Sequence, residues 1–188
     1  MMWYRMLAAG LLVLGGWQFS QGVYIEAKAY LAQELLQQAW QETRQGGARV
    51  PPWPWADTWP VARLKMTRLD VDQVVLAGAS GRTLAFGPGH LFGTADPATP
   101  GNSVISGHRD THFSFLKSVL PGDRIELVRP DGGVVEYAVY HRSVQHRDNL
   151  DVLLKDGSQL TLVTCYPFDA LVPGGEERYV VEALPVLL

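Results

Sequence analysis

The chain has 188 residues, 47% of them hydrophobic, with a formal net charge of −3 and a sequence pI near 5.9. That length holds one globular domain plus an appendage, with enough apolar residues for a core, and excludes two full domains. Lys and Arg are scattered with no basic tract, so there is no electrostatic footprint for a phosphate backbone and nucleic acid is excluded as an expected partner.

The N-terminus differs from the rest. From Met6 to Phe19 the run MLAAGLLVLGGWQF carries no charge, and Arg5 precedes it. Its apolar centre is short for a spanning helix, but continuation through Gln18, Ser20 and Gln21 to Ile25 brings it to the roughly 20 residues a bilayer requires. Trp17, Gln18, Phe19 and Tyr24 make a poor cleavage site for a signal peptide, so residues 1–25 are expected to be an uncleaved anchor. With Arg5 on the cytoplasmic side, a single pass is expected to put the body of the protein outside the cytoplasm.

Residues 26–60 are expected to link anchor and domain. From Tyr24 to Arg44 the composition is rich in Ala, Leu, Glu and Gln, and apolar residues recur at Ala27, Leu31, Leu35 and Ala39, which predicts a helix ending at Gly46-Gly47. Between Ala48 and Pro60, four prolines and three tryptophans exclude regular helix and predict an extended strap, its rings packed on the domain or near the membrane surface.

Residues 61–188 change texture to short runs of Val, Leu, Ile, Thr and Tyr separated by Gly, Pro, Asp and Asn. Strands are predicted at 62–67, 73–76, 103–106, 124–129, 134–144, 159–164 and 179–183, with a hairpin turn at Pro130-Asp131-Gly132-Gly133. Short helices or turns are predicted at 113–119 and 150–154. Without long alternating helices, such spacing implies a mainly β domain, an antiparallel sandwich or a closed barrel rather than a parallel α/β sheet.

Chemistry converges on three residue types. Cys165 is the only cysteine, placed where the β-prone run TLVTC meets Tyr166-Pro167. An extracytoplasmic chain normally pairs or avoids its cysteines, so a lone thiol there is either a small buried hydrophobe or a nucleophile. His108 closes a second β-prone run, NSVISGH, and Arg178 opens the last one, RYVVEAL. A thiol ionises only slightly at neutral pH, and a neighbouring imidazolium or guanidinium favours the thiolate. An imidazole can also protonate an amine leaving group, and a guanidinium can stabilise an oxyanion. One Cys and five His supply no zinc-like ligand spacing; His108 and His112 stand four apart, but in a loop context, and no metal is expected.

The runs FGPGHLFGTADPATPGNSVISGHRDTHFSFLKSVLPGDRIEL, over Phe86 to Leu127, and TLVTC followed by Arg178 after a turn, resemble the sortases, cysteine transpeptidases of the bacterial cell envelope. Anchor, strap and motifs look most similar to the class found in Gram-negative proteobacteria. The resemblance covers most of the chain beyond Arg63. It implies a closed eight-stranded β-barrel, with Cys165 as nucleophile, His108 as general acid and base, and Arg178 as oxyanion or substrate stabiliser. It also implies a substrate protein bearing a Leu-Pro-x-Thr-Gly-like C-terminal sorting signal, a thioester intermediate, an amine acceptor, and no metal or organic cofactor. Water in place of the amine would make the same site a thiol peptidase, and a barrel without chemistry would be an envelope-binding module. His90, in GPGH, belongs to the shared pattern and is expected to be structural or pocket-lining; His112, His141 and His146 are expected on scaffold or surface.

Overall fold

A computed structural model describes residues 2–46, 48–149, 151, 153, 155–170, 172 and 174–186, the side chains of residues 2, 5 and 7–9 excepted. Helix α1 runs unbroken over Met2–Arg44 and is followed by Gly46 at φ 101°, a left-handed stop that glycine permits without strain. The helix is exposed over its first three quarters and docks through its end, where Leu36 and Trp40, both 1% exposed, pack on Val74, Leu76, Phe86 and Val128 outside the barrel. This buried face follows helical spacing, with Ala32, Leu36, Ala39, Trp40 and Thr43 on one side.

The expected spanning segment is not met. Among the described residues no helix is long and apolar enough to cross a membrane. Gly15, Gly16, Gln18, Ser20, Gln21 and Gly22 dilute the run beyond Leu14, so extension of the apolar centre to Ile25 gains length at the expense of hydropathy.

The proline-rich stretch has no regular structure and lies on the barrel. Trp53 meets the Phe86 ring edge-on at 4.7 Å, and Arg49 stands over the Trp59 ring at 5.0 Å. Thr58 Oγ1 donates to the Ala77 carbonyl, while Trp55 is 82% exposed.

The barrel comprises β1 (Pro60–Met66), β2 (Val71–Ala77), β3 (Gly89–His90), β4 (Asn102–Ser106), β5 (Arg124–Val128), β6 (Val134–His146), β7 (Gln159–Tyr166) and β8 (Glu177–Pro185). Their order around the closed barrel is β1-β2-β3-β4-β7-β8-β6-β5. The expected antiparallel pattern needs correction, because β2–β3 and β4–β7 pair parallel. The first of these depends on Gly89, where a Cβ would stand 2.1 Å from the Gly78 carbonyl oxygen. The two-residue β3 is the strand missing from the predicted set, being too short for any period-2 pattern.

Alternation sends Leu64, Ile105, Ile125, Leu127, Leu160, Leu162, Val181 and Ala183 into one interior core. Arg129 N and Gly133 O close the predicted 130–133 turn at 2.8 Å, with Gly132 at φ 87°. The predicted 113–119 helix is a 3-10 turn at Ser114–Ser118. Residues 150, 152 and 154 of the other predicted turn lie outside the described residues.

The crossing from β4 to β5 is tied down by Asp123, 8% exposed, which accepts from Arg68 Nε at 2.5 Å and from the Leu120 N–H at 2.7 Å. Hydrogen bonding from Arg68 foremost, then the Leu120 N–H and the charges of Arg68 and Arg142, hold its carboxyl below the usual range against the opposing effect of burial. A depressed carboxylate contributes stability above the unfolded value near 3.9 and loses it as pH falls through the folded value. Asp123→Asn is therefore expected to cost about 2 kcal/mol at pH 7 by urea denaturation, and the gap from the native chain to narrow below about pH 4. A gap of constant size down to pH 2 would disprove the linkage.

Candidate active site

The barrel's outer face at β4-β7-β8-β6 can be read row by row from the register. Val104, Thr161, Glu182 and His141 form one row, and Ser106, Val163, Val180 and Ser143 the next. One row further on, Cys165 stands directly opposite Arg178, which in turn faces Gln145. Side chains of register partners share a face, with Cβ atoms about 4.5–5.5 Å apart in an antiparallel pair. The alternate residues Leu160, Leu162 and Val181 fill the core behind them.

His108 reaches this row through the parallel ladder. Ser106 pairs with Val163, and the Gly107 N–H continues to the Val163 carbonyl at 3.1 Å. Thr164 Oγ1, on a buried side chain, donates to the Gly107 carbonyl at 2.7 Å. These bonds bring the backbone of His108 level with Cys165. Gly107 has to be glycine, because a Cβ there would lie 2.6 Å from the core ring of Phe113.

Cys165 is free and half-buried, His108 is exposed and Arg178 is half-buried. Cys165 and Arg178 share one end of one face, the backbone of His108 lies at the same level, and no hydrogen bond joins the three side chains among the described residues. Arg178 Nη1 donates to the Gly175 and Glu177 carbonyls at 2.7 and 2.8 Å. Those bonds orient the guanidinium and leave its Nε and Nη2 donors available to an incoming oxygen.

A cavity of about 240 Å³ adjoins this row. Leu91, Val104, Val163 and Val180 give it an apolar floor, Arg178 lines it, and Leu153 and Asn149 close over it from the β6–β7 connection. That connection is pinned two rows from Cys165 by Lys155, which donates to Glu182, a carboxylate buried on β8. Glu182 also reaches Tyr140, whose hydroxyl pKa is pushed up by burial first and then by the carboxylate's charge.

The remaining histidines sit apart from this chemistry. His90 is 4% exposed and its Nε2 is bonded to the Ala95 carbonyl and Thr94 Oγ1, a structural placement. His112 is half-buried, and burial foremost pushes its pKa down. His141 stacks on Tyr140, and His146 is exposed beside Asp148 and Glu176. Among the described residues no group of three or more His, Cys, Asp or Glu is arranged to hold a metal ion.

Sequence reasoning passed over Arg109. Only 6% exposed, it donates through Nη1 to the Pro167 carbonyl at 2.7 Å and through Nη2 to the Ala170 carbonyl at 3.0 Å. The signal available was its position, directly after His108.

A closed mixed barrel that gathers one thiol, one imidazole and one guanidinium on a single sheet face defines the class: a β-barrel with a candidate cysteine acyl-transfer site. The sortase domain model matches residues 64–186, well over half the chain, and the protein belongs to the sortase family, whose members are cysteine transpeptidases. Sortase D of Bacillus subtilis (strain 168) is 28% identical over 120 residues, covering 63% of this chain and 60% of that protein's length. Sortase C-1 from Actinomyces oris has a TM-score of 0.61 at 30% identity, covering 69% of this chain and 74% of that one. Sortase C from Clostridium perfringens, solved with the C-terminal cell wall sorting motif, has a TM-score of 0.62 at 20% identity, over 86% and 91% of the two chains; it shows the fold alone.

The Lys155–Glu182 pair gives a direct stability test. Removing the cation strands a buried carboxylate, so Lys155→Met is expected to cost about 2–3 kcal/mol by urea denaturation, less than a fully buried pair because Lys155 keeps contact with water. The Lys155→Met/Glu182→Gln double variant should cost less than the sum of the single variants by at least about 1 kcal/mol. Additivity would show that the two groups are uncoupled.

Proposed function

We propose that this chain cleaves a Leu-Pro-x-Thr-Gly-like C-terminal sorting signal after its Thr and transfers the acyl group to an amine. The observation that carries the reading is the register pair Cys165–Arg178, with His108 delivered alongside by the β4–β7 ladder. Cys165 Sγ attacks the scissile carbonyl carbon, and the resulting oxyanion accepts hydrogen bonds from Arg178. His108 protonates the departing amine as the C–N bond breaks, leaving the acyl group on sulfur as a thioester. An acceptor amine then attacks the thioester, its proton passes to His108, and the thiolate is released.

The apolar cavity supplies a seat for the signal's aliphatic side chain beside the reacting row. A related barrel is known with such a motif, which supports the substrate class. Assignment to the class found in Gram-negative proteobacteria rests on the sequence pattern of apolar N-terminus, strap and barrel motifs. Placement at the periplasmic side of the inner membrane is part of the same reading. Its support is the uncovered apolar surface of α1, where Leu11, Leu12, Val13, Leu14, Trp17 and Phe19 are 61–77% exposed.

With a fluorogenic sorting-signal peptide, Cys165→Ala is expected to abolish cleavage and thioester formation. His108→Ala should lower kcat at least about 10²-fold and Arg178→Ala about 10²–10³-fold. Turnover retained in Cys165→Ala would sink the reading, and products that never incorporate any added amine would convert it to a peptidase. Location is checked by carbonate extraction and protease accessibility of cells expressing the full chain. Membrane retention with an externally accessible barrel is expected, and recovery in the soluble cytoplasmic fraction would overturn it.

A further inference from the structure

The register that aligns β4 with β7 stops at Ser106 and Val163, two residues short of the reacting pair on each strand. The last links are the Gly107 N–H to the Val163 carbonyl and Thr164 Oγ1 to the Gly107 carbonyl. Beyond them the chain after His108 turns, while Cys165 and Tyr166 stay paired with β8 at Arg178 and Glu177, so no ladder bond joins the two segments that follow. Across that gap Arg109 joins the segment after β4 to the segment after Cys165, through the carbonyls of Pro167 and Ala170. Its Nε and Nη2 meet the two oxygens of Asp110 at 2.7 and 3.0 Å.

We propose that Arg109 is a positioning residue whose guanidinium fork clamps the chain after Cys165 to the chain after His108 and so fixes the separation of the two reacting side chains. The inference rests on the roles given to Cys165 and His108 above. A planar fork with several fixed donors can hold two carbonyls and a carboxylate at once, which a single ammonium does not reproduce. At 6% exposure Arg109 is out of reach of a substrate, so it acts through the backbone that it holds.

The charge of the clamp serves the same site. Its pKa is raised by the hydrogen bond to Asp110 foremost, and more weakly by negative charge on Asp110, Cys165 and Asp169. Asp110 is 67% exposed, so water as well as Arg109 solvates it. Arg178 from β8 stands opposite Cys165, and Arg109 feels the charges of both Cys165 and Asp169.

Arg109→Lys, Arg109→Met and Asp110→Asn, made in the full chain, test this. On the sorting-signal peptide, Arg109→Met is expected to lower kcat about 100-fold and Arg109→Lys about 10-fold, each with KM within about 2-fold. Asp110→Asn keeps both carbonyl bonds and should stay within about 3-fold. Without any peptide, iodoacetamide alkylation of the single thiol at pH 7 should slow about 10-fold in Arg109→Met and stay within about 3-fold in Arg109→Lys, which retains the charge. Should Arg109→Met fail to fold, as judged by its thermal melt, Arg109→Lys decides through kcat. Unchanged kcat in Arg109→Lys, a rise confined to KM, or an Asp110→Asn loss as large as that of Arg109→Met would overturn the clamp. If the native chain cleaves no peptide, the proposed function fails while the alkylation series still decides on Arg109: equal rates in all three variants reject it.

Discussion

The parallel pairing of β4 with β7 is the constraint on which the site depends. It brings together two strand ends that are remote in sequence and makes them finish at the same height. Everything local to the site is a consequence: Gly107 is small because Phe113 needs its space, and Thr164 turns inward to hold the Gly107 carbonyl. A slip of one residue would send Cys165 to the interior and Thr164 to the outer face, because the side-chain period of a strand is two. The core residues Ile105, Leu160 and Leu162 lock the register against that slip, since they would have to face water. Packing inside the barrel therefore sets the chemistry outside it.

The outer face carries a graded sequence of environments along the strands. At one level lies the buried charge of Glu182, held by Lys155; next comes an apolar floor of Val163 and Val180; at the end stand Cys165 and Arg178. The β6–β7 connection covers the first two levels and leaves the third open. A buried ion pair adds little net stability against apolar alternatives, but it fixes geometry strongly because either partner alone is costly. In this barrel it fixes the wall of the cavity beside the nucleophile.

Much of this was legible in the sequence and some was not. Seven strands showed as runs of β-branched and aromatic residues, and Cys165, His108 and Arg178 stood out by residue type and by their places at strand ends. The motifs carried the family. The two-residue β3 could not be read, because its partners are chosen by backbone approach at Gly89 rather than by side chains. Parallel pairing was missed for a related reason: alternating hydrophobicity specifies which face is buried, not the direction of the neighbouring strand. Arg109 read as an ordinary charged loop residue, since its significance lies in two carbonyls of a segment far along the chain. The N-terminal run reaches spanning length only by including polar and glycine residues, and among the described residues no helix is long and apolar enough to cross a membrane.

Among the described side chains of helix α1, Ala32 is the first that is buried. At 1.5 Å per residue, the helical turns before it form a rod of about 45 Å. The exposed part of the helix is thus a rigid extension of the chain, in contrast to the irregular proline-rich stretch that follows it.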